Sequence, residues 1–310
     1  MSFDYSATIG GAIFPNPILT ASGCAGSGKE LVQFFSLLEL GAIVTKSIML
    51  KPRSGRATPR MAETPSGMLN SIGLQGPGID QFLSDDVPWL QSQGARIIIS
   101  IAGETVEEYA ILAKKLSQVS GISAIEVNIS CPNVENRGQV FSCEPSTTFA
   151  AISAVRKNID PRMPIIAKLS PDVTDIAAIA EVAITAGADA LALINTLLGM
   201  VIDINTMRPK LAGKTGGLSG PAIRPVAVRA IYQVRARIPS ASILGMGGVV
   251  GGMDALELIL AGANAVAVGT ATFGNPLAAI DVRNQLEELL IERGFNSLSE
   301  AVGYAHRKEL

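Results

Sequence analysis

Short β-type runs of apolar residues recur eight times along the chain. Most of them begin with apolar residues, finish in small or polar ones, and are separated by helix-compatible segments. They cover residues 17–23, 42–47, 96–103, 124–130, 164–170, 190–196, 242–248 and 265–271. A strand that is buried on both faces, and whose carboxyl end opens into a site, is expected to have this pattern. The pattern therefore predicts eight buried strands.

A weak internal repeat supports this count. Segments 39–47, 185–196 and 260–271 share one form, in which a helix ends at glycine, a small residue follows and a strand begins. Glycine adopts the left-handed conformation at a helix C-terminus at little cost. Eight such strands predict an α/β fold of the (β/α)8 TIM barrel type, whose catalytic residues lie at the carboxyl ends of the strands. A doubly wound open sheet is the alternative.

Three of the connections after strands are long, at about residues 48–80, 131–147 and 197–220. Long connections in a compact domain are often functional lids, so we expect these loops to cover the carboxyl-end mouth of the barrel. The first carries "NSIGLQGPG" (70–78), whose glycines could let the backbone approach a ligand. No shift in composition divides the chain, and we therefore predict a single domain over residues 1–310.

Composition and charge exclude several function classes. The formal net charge is −2 and no cluster of Lys and Arg marks a polyanion surface, so nucleic-acid binding is not expected. The N-terminus lacks a basic region followed by an apolar block, and the most apolar stretch, 188–204, contains charged residues. We therefore expect neither a secretory signal nor a membrane span.

The three cysteines are Cys24, Cys131 and Cys143, an odd and sparse set that predicts reduced thiols in the cytoplasm. No CxxC pair or metal-ligand cluster occurs in the sequence. A metal site or an iron–sulfur cluster held by this chain alone is therefore not expected.

Glycine-rich turns end the last two predicted strands, in "GMGGV" (245–249) and "VGTA" (268–271). In barrels, this pair of loops is a recurrent phosphate site, although glycine that merely ends a strand is the simpler alternative. "GMGGVVG" fails the dinucleotide pattern because Val250 occupies its third glycine position, and "GKT" (213–215) fails the P-loop pattern. The sequence thus predicts neither a Rossmann dehydrogenase nor a P-loop NTPase.

Polar residues gather at several predicted strand ends. Lys46 and Lys168 end the second and fifth strands, where an ammonium is costly unless it meets an anion or reaches water along its stem. Four asparagines supply uncharged donors and acceptors, namely Asn70, Asn128, Asn133 and Asn195. Together they suit a planar polar ring, although each alone could be a turn or cap residue.

Cys131 follows the fourth predicted strand directly and begins a long loop. A free cysteine is more often a buried hydrophobe than a catalyst. The only histidine, His306, is four residues from the end of the chain, so proton transfer would need Cys, Ser, Lys, Tyr or a carboxylate. Its position makes Cys131 the candidate catalytic group.

Nine motifs together resemble one known family. They are "TASG" (20–23), "TKS" (45–47), "PRMAETPSGMLNSIGLQGPG" (59–78), "NISCPN" (128–133), "KLSP" (168–171), "INT" (194–196), "GGLSGPAI" (216–223), "GMGGV" and "VGTA". The chain resembles the dihydroorotate dehydrogenases, FMN-containing barrels of pyrimidine biosynthesis. "NSIGLQGPG" and Cys131 resemble the cytosolic NAD-linked class, whose catalytic subunit works with a second subunit carrying FAD and a [2Fe–2S] cluster. The resemblance implies a homodimeric core within a heterotetramer.

The resemblance also implies roles for individual residues. Expected FMN contacts are Ser22, Lys46, Ser47, Ser100, Asn128, Lys168, Ile194, Gly220, Gly247, Gly248, Gly269 and Thr270, with Ser100 standing where the family has Asn. Expected contacts to dihydroorotate or orotate are Lys46, Asn70, Ser71, Ile72, Gly73, Leu74, Asn128, Asn133, Asn195 and Thr196. Cys131 would accept a proton from C5 while hydride leaves C6 for the flavin, and Lys168 would stabilise the negative charge that develops there.

Other functions remain open from the sequence alone. They are a fumarate-linked dihydroorotate dehydrogenase, a pyrimidine-reducing barrel like that of dihydropyrimidine dehydrogenases, a phosphate-binding aldolase or isomerase, and a catalytically silent scaffold subunit.

Replacement of the predicted base tests the assignment of Cys131. In Cys131→Ser we expect flavin reduction by dihydroorotate to slow by orders of magnitude while FMN stays bound, because a hydroxyl is a much weaker base near neutral pH. Stopped-flow absorbance of the flavin measures this step. Cys24→Ala and Cys143→Ala are the controls, expected to leave the step largely intact. Near wild-type reduction by Cys131→Ser would contradict the assignment.

Overall fold

The computed structural model of the protein describes residues 3–130 and 143–307. Eight parallel strands there form one sheet. They are β1 (Ile18–Thr20), β2 (Ile43–Val44), β3 (Ile97–Ile101), β4 (Ala124–Asn128), β5 (Ile165–Lys168), β6 (Ala190–Leu193), β7 (Ile243–Met246) and β8 (Ala265–Val268). The strands neighbour one another in chain order, and β8 pairs with β1. A parallel bridge between Leu19 and Ala42 brings β1 to β2, so the sheet closes into a barrel.

The prediction of a (β/α)8 barrel is confirmed, and the open-sheet alternative is wrong. Each of the eight predicted runs contains one barrel strand. Within β3, β4, β5, β6, β7 and β8 every residue is buried. This two-sided burial explains why the strands are continuous apolar runs in the sequence rather than alternating ones.

The described residues form ten α-helices, the longer of which pack side by side around the barrel. They are α1 (Ile79–Gln81), α2 (Val87–Ser92), α3 (Val106–Leu116), α4 (Pro145–Asn158), α5 (Ile176–Thr185), α6 (Arg224–Arg237), α7 (Gly252–Ala261), α8 (Ala271–Gly274), α9 (Ala278–Glu292) and α10 (Leu298–Ala301). A π-helical segment, Phe82–Asp86, joins α1 to α2, and short 3-10 turns cover Leu31–Gln33, Leu37–Glu39, Pro221–Ile223 and Tyr304–His306. No helix in the described part of the chain combines the length and apolar character that crossing a bilayer requires.

Helix α3 illustrates how the outer layer is specified. The Thr105 hydroxyl caps it by accepting a hydrogen bond from the Glu108 N–H at 3.2 Å. Leu112 and Leu116, one helical turn apart, are fully buried against the barrel. Burial of such a side chain contributes roughly 1.5–3 kcal/mol. The amphipathic pattern thus fixes which face of the helix meets the sheet.

The two ends of the barrel are covered differently. At the amino end, a hairpin of Ala7–Ile9 and Ala12–Phe14 lies against the strand starts, and its Gly10 N–H donates to Ser242 Oγ at 3.0 Å. At the carboxyl end lies an antiparallel four-stranded sheet, here called the accessory sheet. Its strands are Met61–Thr64, Gly67–Asn70, Thr215–Ser219 and Leu197–Met200.

The accessory sheet combines two of the long connections predicted from the sequence, those after β2 and β6. A further small hairpin, Ile202–Asp203 with Arg208–Pro209, extends the second connection. The third predicted long connection, 131–147, falls mostly outside the described residues, which resume at residue 143.

Thr20 closes the seam between β1 and β2, where the strands are shortest. Its hydroxyl accepts a hydrogen bond from the Val44 N–H at 2.9 Å and donates to the Val44 carbonyl at 3.2 Å. Both residues are about 1% exposed. A side chain therefore satisfies two buried backbone groups at this seam.

We expect Thr20→Val to destabilise the protein by about 1–3 kcal/mol, because it leaves the Val44 N–H and carbonyl buried without this partner. Urea unfolding followed by circular dichroism measures the change. Thr20→Ser is the matched control, since it keeps the hydroxyl and loses only a methyl group. If the two variants lose the same stability, the hydroxyl does not support the seam.

Candidate active site

A cleft with two lobes opens at the carboxyl ends of the barrel strands. The lobes have volumes of about 260 Å³ and about 310 Å³. They share wall residues Ser22, Cys24, Lys168, Asn195, Thr196, Ser219 and Thr270. The smaller, here called the glycine lobe, is also lined by Ile194, Gly220, Gly247, Gly248 and Gly269. The larger, here called the asparagine lobe, is also lined by Lys46, Ser47, Asn70, Asn128 and Leu74.

The glycine lobe depends on the turn after β7. Gly247 and Gly248 have φ angles of 124° and 77°, a region that other residues rarely adopt. A Cβ on Gly248 would lie 2.9 Å from the backbone nitrogen of Arg224, so glycine lets the turn pack directly on the start of α6. Across the lobe, the Thr270 hydroxyl donates to Ser219 Oγ at 2.8 Å. These contacts fix the walls of the lobe.

Amide side chains in the asparagine lobe are held by hydrogen bonds. Asn128 Nδ2 donates to Ser47 Oγ at 2.9 Å, and its Oδ1 accepts from the Ser130 hydroxyl at 2.9 Å. Asn195 Nδ2 donates to Ser130 Oγ at 2.5 Å and contacts Asn128 Oδ1 at 3.3 Å. The two amides are therefore preorganised by residues that closely follow β2, β4 and β6.

A row of polar side chains runs from the cleft into the barrel. Ser22 Oγ lies 3.1 Å from Ser47 Oγ, which lies 2.9 Å from Ser100 Oγ. The Ser100 hydroxyl donates to Glu126 Oε1 at 2.8 Å, and that oxygen is 3.7 Å from Lys168 Nζ. The row thus ends in a buried ion pair whose lysine lines both lobes.

The accessory sheet roofs the asparagine lobe. Asn70 Nδ2 donates to the Gly217 carbonyl at 3.3 Å, which ties the first long connection to the second. A Cβ on Gly217 would overlap the Thr196 hydroxyl, so only glycine lets this strand lie so close to the lobe wall. Met61 and Met68 from the same sheet line the lobe. The roof therefore combines one polar group with an apolar cover.

Cys24 lies where the two lobes meet. Burial raises the pKa of its thiol to about 11, although the ammonium groups of Lys168 and Lys46 oppose this rise. The thiol is therefore protonated near neutral pH. Within residues 3–130 and 143–307, no three His, Cys, Asp or Glu side chains come together as a metal site requires.

Sequence similarity to known proteins identifies the family of the chain. A family model described as dihydroorotate dehydrogenase matches residues 5–290. The chain belongs to the dihydroorotate dehydrogenase family.

Curated relatives of the chain share one description, "Dihydroorotate dehydrogenase B (NAD(+)), catalytic subunit". One from Desulforudis audaxviator (strain MP104C) is 52% identical over 307 residues, with 99% of both chains covered. One from Desulforamulus reducens is 49% identical over 308 residues, covering 99% of this chain and 100% of the relative. One from Geotalea daltonii is 46% identical over 300 residues, covering 97% of both. The family and class expected from the motifs are confirmed.

Most residues predicted to bind ligands line the cleft. They are Ser22, Lys46, Ser47, Asn128, Lys168, Ile194, Gly220, Gly247, Gly248, Gly269 and Thr270 for the cofactor, with Asn70, Ile72, Gly73, Leu74, Asn195 and Thr196 for the substrate. Two others do not line it: Ser100 lies beneath the wall, and Ser71 is buried, accepting a hydrogen bond from Arg56 at 3.1 Å. Cys131 and Asn133 fall outside the described residues, and the individual roles of all these residues stay predictions.

Among the residues that were not predicted to bind ligands, Ser219 and Cys24 line the cleft, and Ser130 is hydrogen-bonded to two of its asparagines. Ser219 lines both lobes, and it stands one position before Gly220 in a motif that carried the resemblance. Ser130 bridges the two asparagine amides, and its period-two spacing from Asn128 was the available signal. Cys24 lines both lobes, which makes Cys143 the better control position for cysteine replacement.

The raised pKa of Cys24 and the ordinary pKa of a cysteine thiol together predict how the rate depends on pH. A thiol with an ordinary pKa near 8.5 gains thiolate as pH rises, so a reaction that uses Cys131 as base should accelerate from pH 7 toward 9. Cys24, with a pKa of about 11, stays protonated over that range. Cys24→Ala should therefore keep the rise, whatever its absolute rate, in single-turnover measurements of flavin reduction.

The matched control for the pH profile is Cys143→Ala, at a half-buried position outside both lobes. Disappearance of the rise in Cys24→Ala, but not in Cys143→Ala, would assign the titration to Cys24 instead.

Proposed function

We propose that the protein oxidises dihydroorotate to orotate, as the catalytic subunit of an NAD-linked dihydroorotate dehydrogenase in pyrimidine biosynthesis. The observation that carries this proposal is the two-lobed cleft. A lobe rich in amides adjoins a lobe formed by glycine turns, and the Lys168 ammonium stands at their junction. This arrangement suits a polar ring that reacts beside a second, phosphorylated ligand.

The asparagine lobe suits the substrate. Dihydroorotate presents ring N–H and carbonyl groups, which the amides of Asn70, Asn128 and Asn195 can match as both acceptors and donors. Its carboxylate requires a cation, and Lys46 lines this lobe. Because hydrogen bonds hold Asn128 and Asn195 in place, the ring would bind in a fixed orientation, which contributes to the rate.

The glycine lobe suits the phosphate and ribityl portion of FMN. A Cβ on Gly269 would stand 3.2 Å from Ala21 Cβ and 3.3 Å from Cys24 Sγ, so its absence widens the lobe between β1 and β8. Gly247, Gly248 and Thr270 would hold the phosphate, and Lys168 would lie near the ring. Bound FMN would accept the hydride that leaves C6 of the substrate.

Cys131 would accept the proton from C5 of the substrate. It follows Ser130 directly in the sequence, and Ser130 contacts both Asn128 and Asn195 in the asparagine lobe. Loss of a proton from C5 and a hydride from C6 balances the two-electron oxidation to orotate. Lys168 would stabilise the negative charge that arises at the junction of the lobes.

A partner subunit would take the electrons onward. The relatives are each named as a catalytic subunit, which supports a second, electron-transferring subunit for this chain. By family resemblance that subunit would carry FAD and a [2Fe–2S] cluster and reduce NAD⁺. Two copies of the present chain would form the core of the heterotetramer.

Anaerobic titration tests the proposed function directly. Purified protein reconstituted with FMN should lose its flavin absorbance on addition of dihydroorotate. Added NAD⁺ should restore the absorbance only when the partner subunit is present. The measurement is the visible spectrum after each addition.

Competing functions give different spectra in the same titration. A protein that takes up no FMN would favour the aldolase or isomerase alternative. Bleaching by dihydrouracil or dihydrothymine but not by dihydroorotate would favour the dihydropyrimidine dehydrogenase alternative. Recovery with fumarate in the absence of a partner would favour the fumarate-linked class.

A further inference from the structure

Glu126 is a fully buried carboxylate that lies outside the cleft lining. Its side chain is 0% exposed, and it lies in the middle of β4. Oε1 accepts a hydrogen bond from Ser100 at 2.8 Å, whereas Oε2 has no hydrogen-bond partner among the described residues. A buried carboxylate is strongly unfavourable unless a cation or several donors compensate it. Its presence beneath the cleft therefore requires an explanation.

Lys168 supplies the compensating charge. Its Nζ lies 3.7 Å from Glu126 Oε1, and its side chain is only 5% exposed. In the register of β4 and β5, Lys168 is opposite Asn128, while Glu126 is opposite Ile166. The carboxylate thus lies two residues deeper in the barrel than the lysine backbone. The ammonium stands between a buried anion below it and the two lobes above it.

From this position the charge of Glu126 changes the electrostatic field that a ligand at the junction of the lobes experiences. An ammonium alone would favour any ligand that gains negative charge there. A carboxylate paired with the ammonium offsets part of that field, and it does so strongly because both side chains are buried. The charge that a bound ligand experiences is therefore set by the pair and not by the lysine alone.

We propose that Glu126 is a positioning residue that holds the Lys168 ammonium and sets the reduction potential of the bound flavin. This inference rests on the proposed function, in which the cleft binds FMN. With Glu126 in place, the reduced, electron-rich flavin is stabilised less than by a lone lysine. The flavin then remains able to pass its electrons onward.

Glu126→Gln removes the charge but keeps an oxygen that can accept from Ser100. In the FMN-loaded protein we expect the variant to favour reduced over oxidised flavin at least tenfold more than wild type. For a two-electron couple this is a positive shift of about 30 mV in midpoint potential. Equilibration with reference dyes measures the potential. If the ratio of reduced to oxidised flavin in the variant is within threefold of that in wild type, the inference is overturned.

Ser100→Ala is the matched control. It removes the hydrogen bond to Glu126 Oε1 but leaves the carboxylate charge and the lysine in place. In this variant the ratio of reduced to oxidised flavin should stay within about threefold of wild type, because the charge of Glu126, which screens Lys168, is kept. A shift as large as that of Glu126→Gln would mean that network disruption, not charge, moves the potential, and would overturn the inference.

A second measurement needs no flavin. Urea unfolding of the flavin-free protein compares Glu126→Gln, Lys168→Met and the double variant. Each single variant should raise the equilibrium constant for unfolding relative to wild type, because it leaves one buried charge alone. The increase in the double variant should be at least tenfold smaller than the product of the two single increases. Additive effects overturn the inference.

The two proposals fail in different ways. Wild-type protein that binds no FMN overturns the proposed function and the flavin role of Glu126 with it. Wild-type protein that is bleached by dihydroorotate, with an unshifted potential in Glu126→Gln, overturns only the role of Glu126. If Glu126→Gln alone does not fold, Glu126→Met, which also removes the charge and keeps Lys168, takes its place. Its potential should likewise be more positive than that of wild type by about 30 mV, and an unchanged potential overturns the inference.

Discussion

The pairing of β4 with β5 is the constraint on which the cleft depends. Parallel pairing sets Asn128 beside Lys168, and strand periodicity then aligns Glu126, Asn128 and Ser130 on one face. A slip of one residue would turn all of them to the opposite face of the sheet. The amide wall of one lobe, the cation at the junction and the buried carboxylate below it thus follow from a single register.

The rest of the cleft is added by segments that are distant in the sequence. Glycine turns after β7 and β8 form one lobe, and the accessory sheet roofs the other. The barrel supplies rigid strand ends, while the loops supply shape. This division explains how a buried ion pair and an open binding cleft can lie within a few ångströms of each other. The strand residues are buried from solvent, whereas the loops determine which ligands reach Lys168.

The sequence predicted the strands well because buried parallel strands are apolar throughout. It could not predict the accessory sheet, since "TGGLS" (215–219) is rich in glycine and forms a strand only through its partners. The seam role of Thr20 was equally hidden, because it depends on which strands meet at closure. Ser71 belongs to a matching motif, and Ser100 stands where the family has Asn. The structure directs Ser71 to Arg56 and places Ser100 beneath Ser47, and neither the motif nor the strand pattern encodes these contacts.

The accessory sheet also has a consequence for how the protein is made. The hydrogen bond from Asn70 to Gly217 joins positions 147 residues apart. At a synthesis rate of roughly 5–20 residues per second, the second half of this roof leaves the ribosome roughly 7–30 s after the first. During that interval Met61 and Met68 have no completed sheet to join. The nascent chain therefore carries one half of its future roof uncovered until the other half has been synthesised.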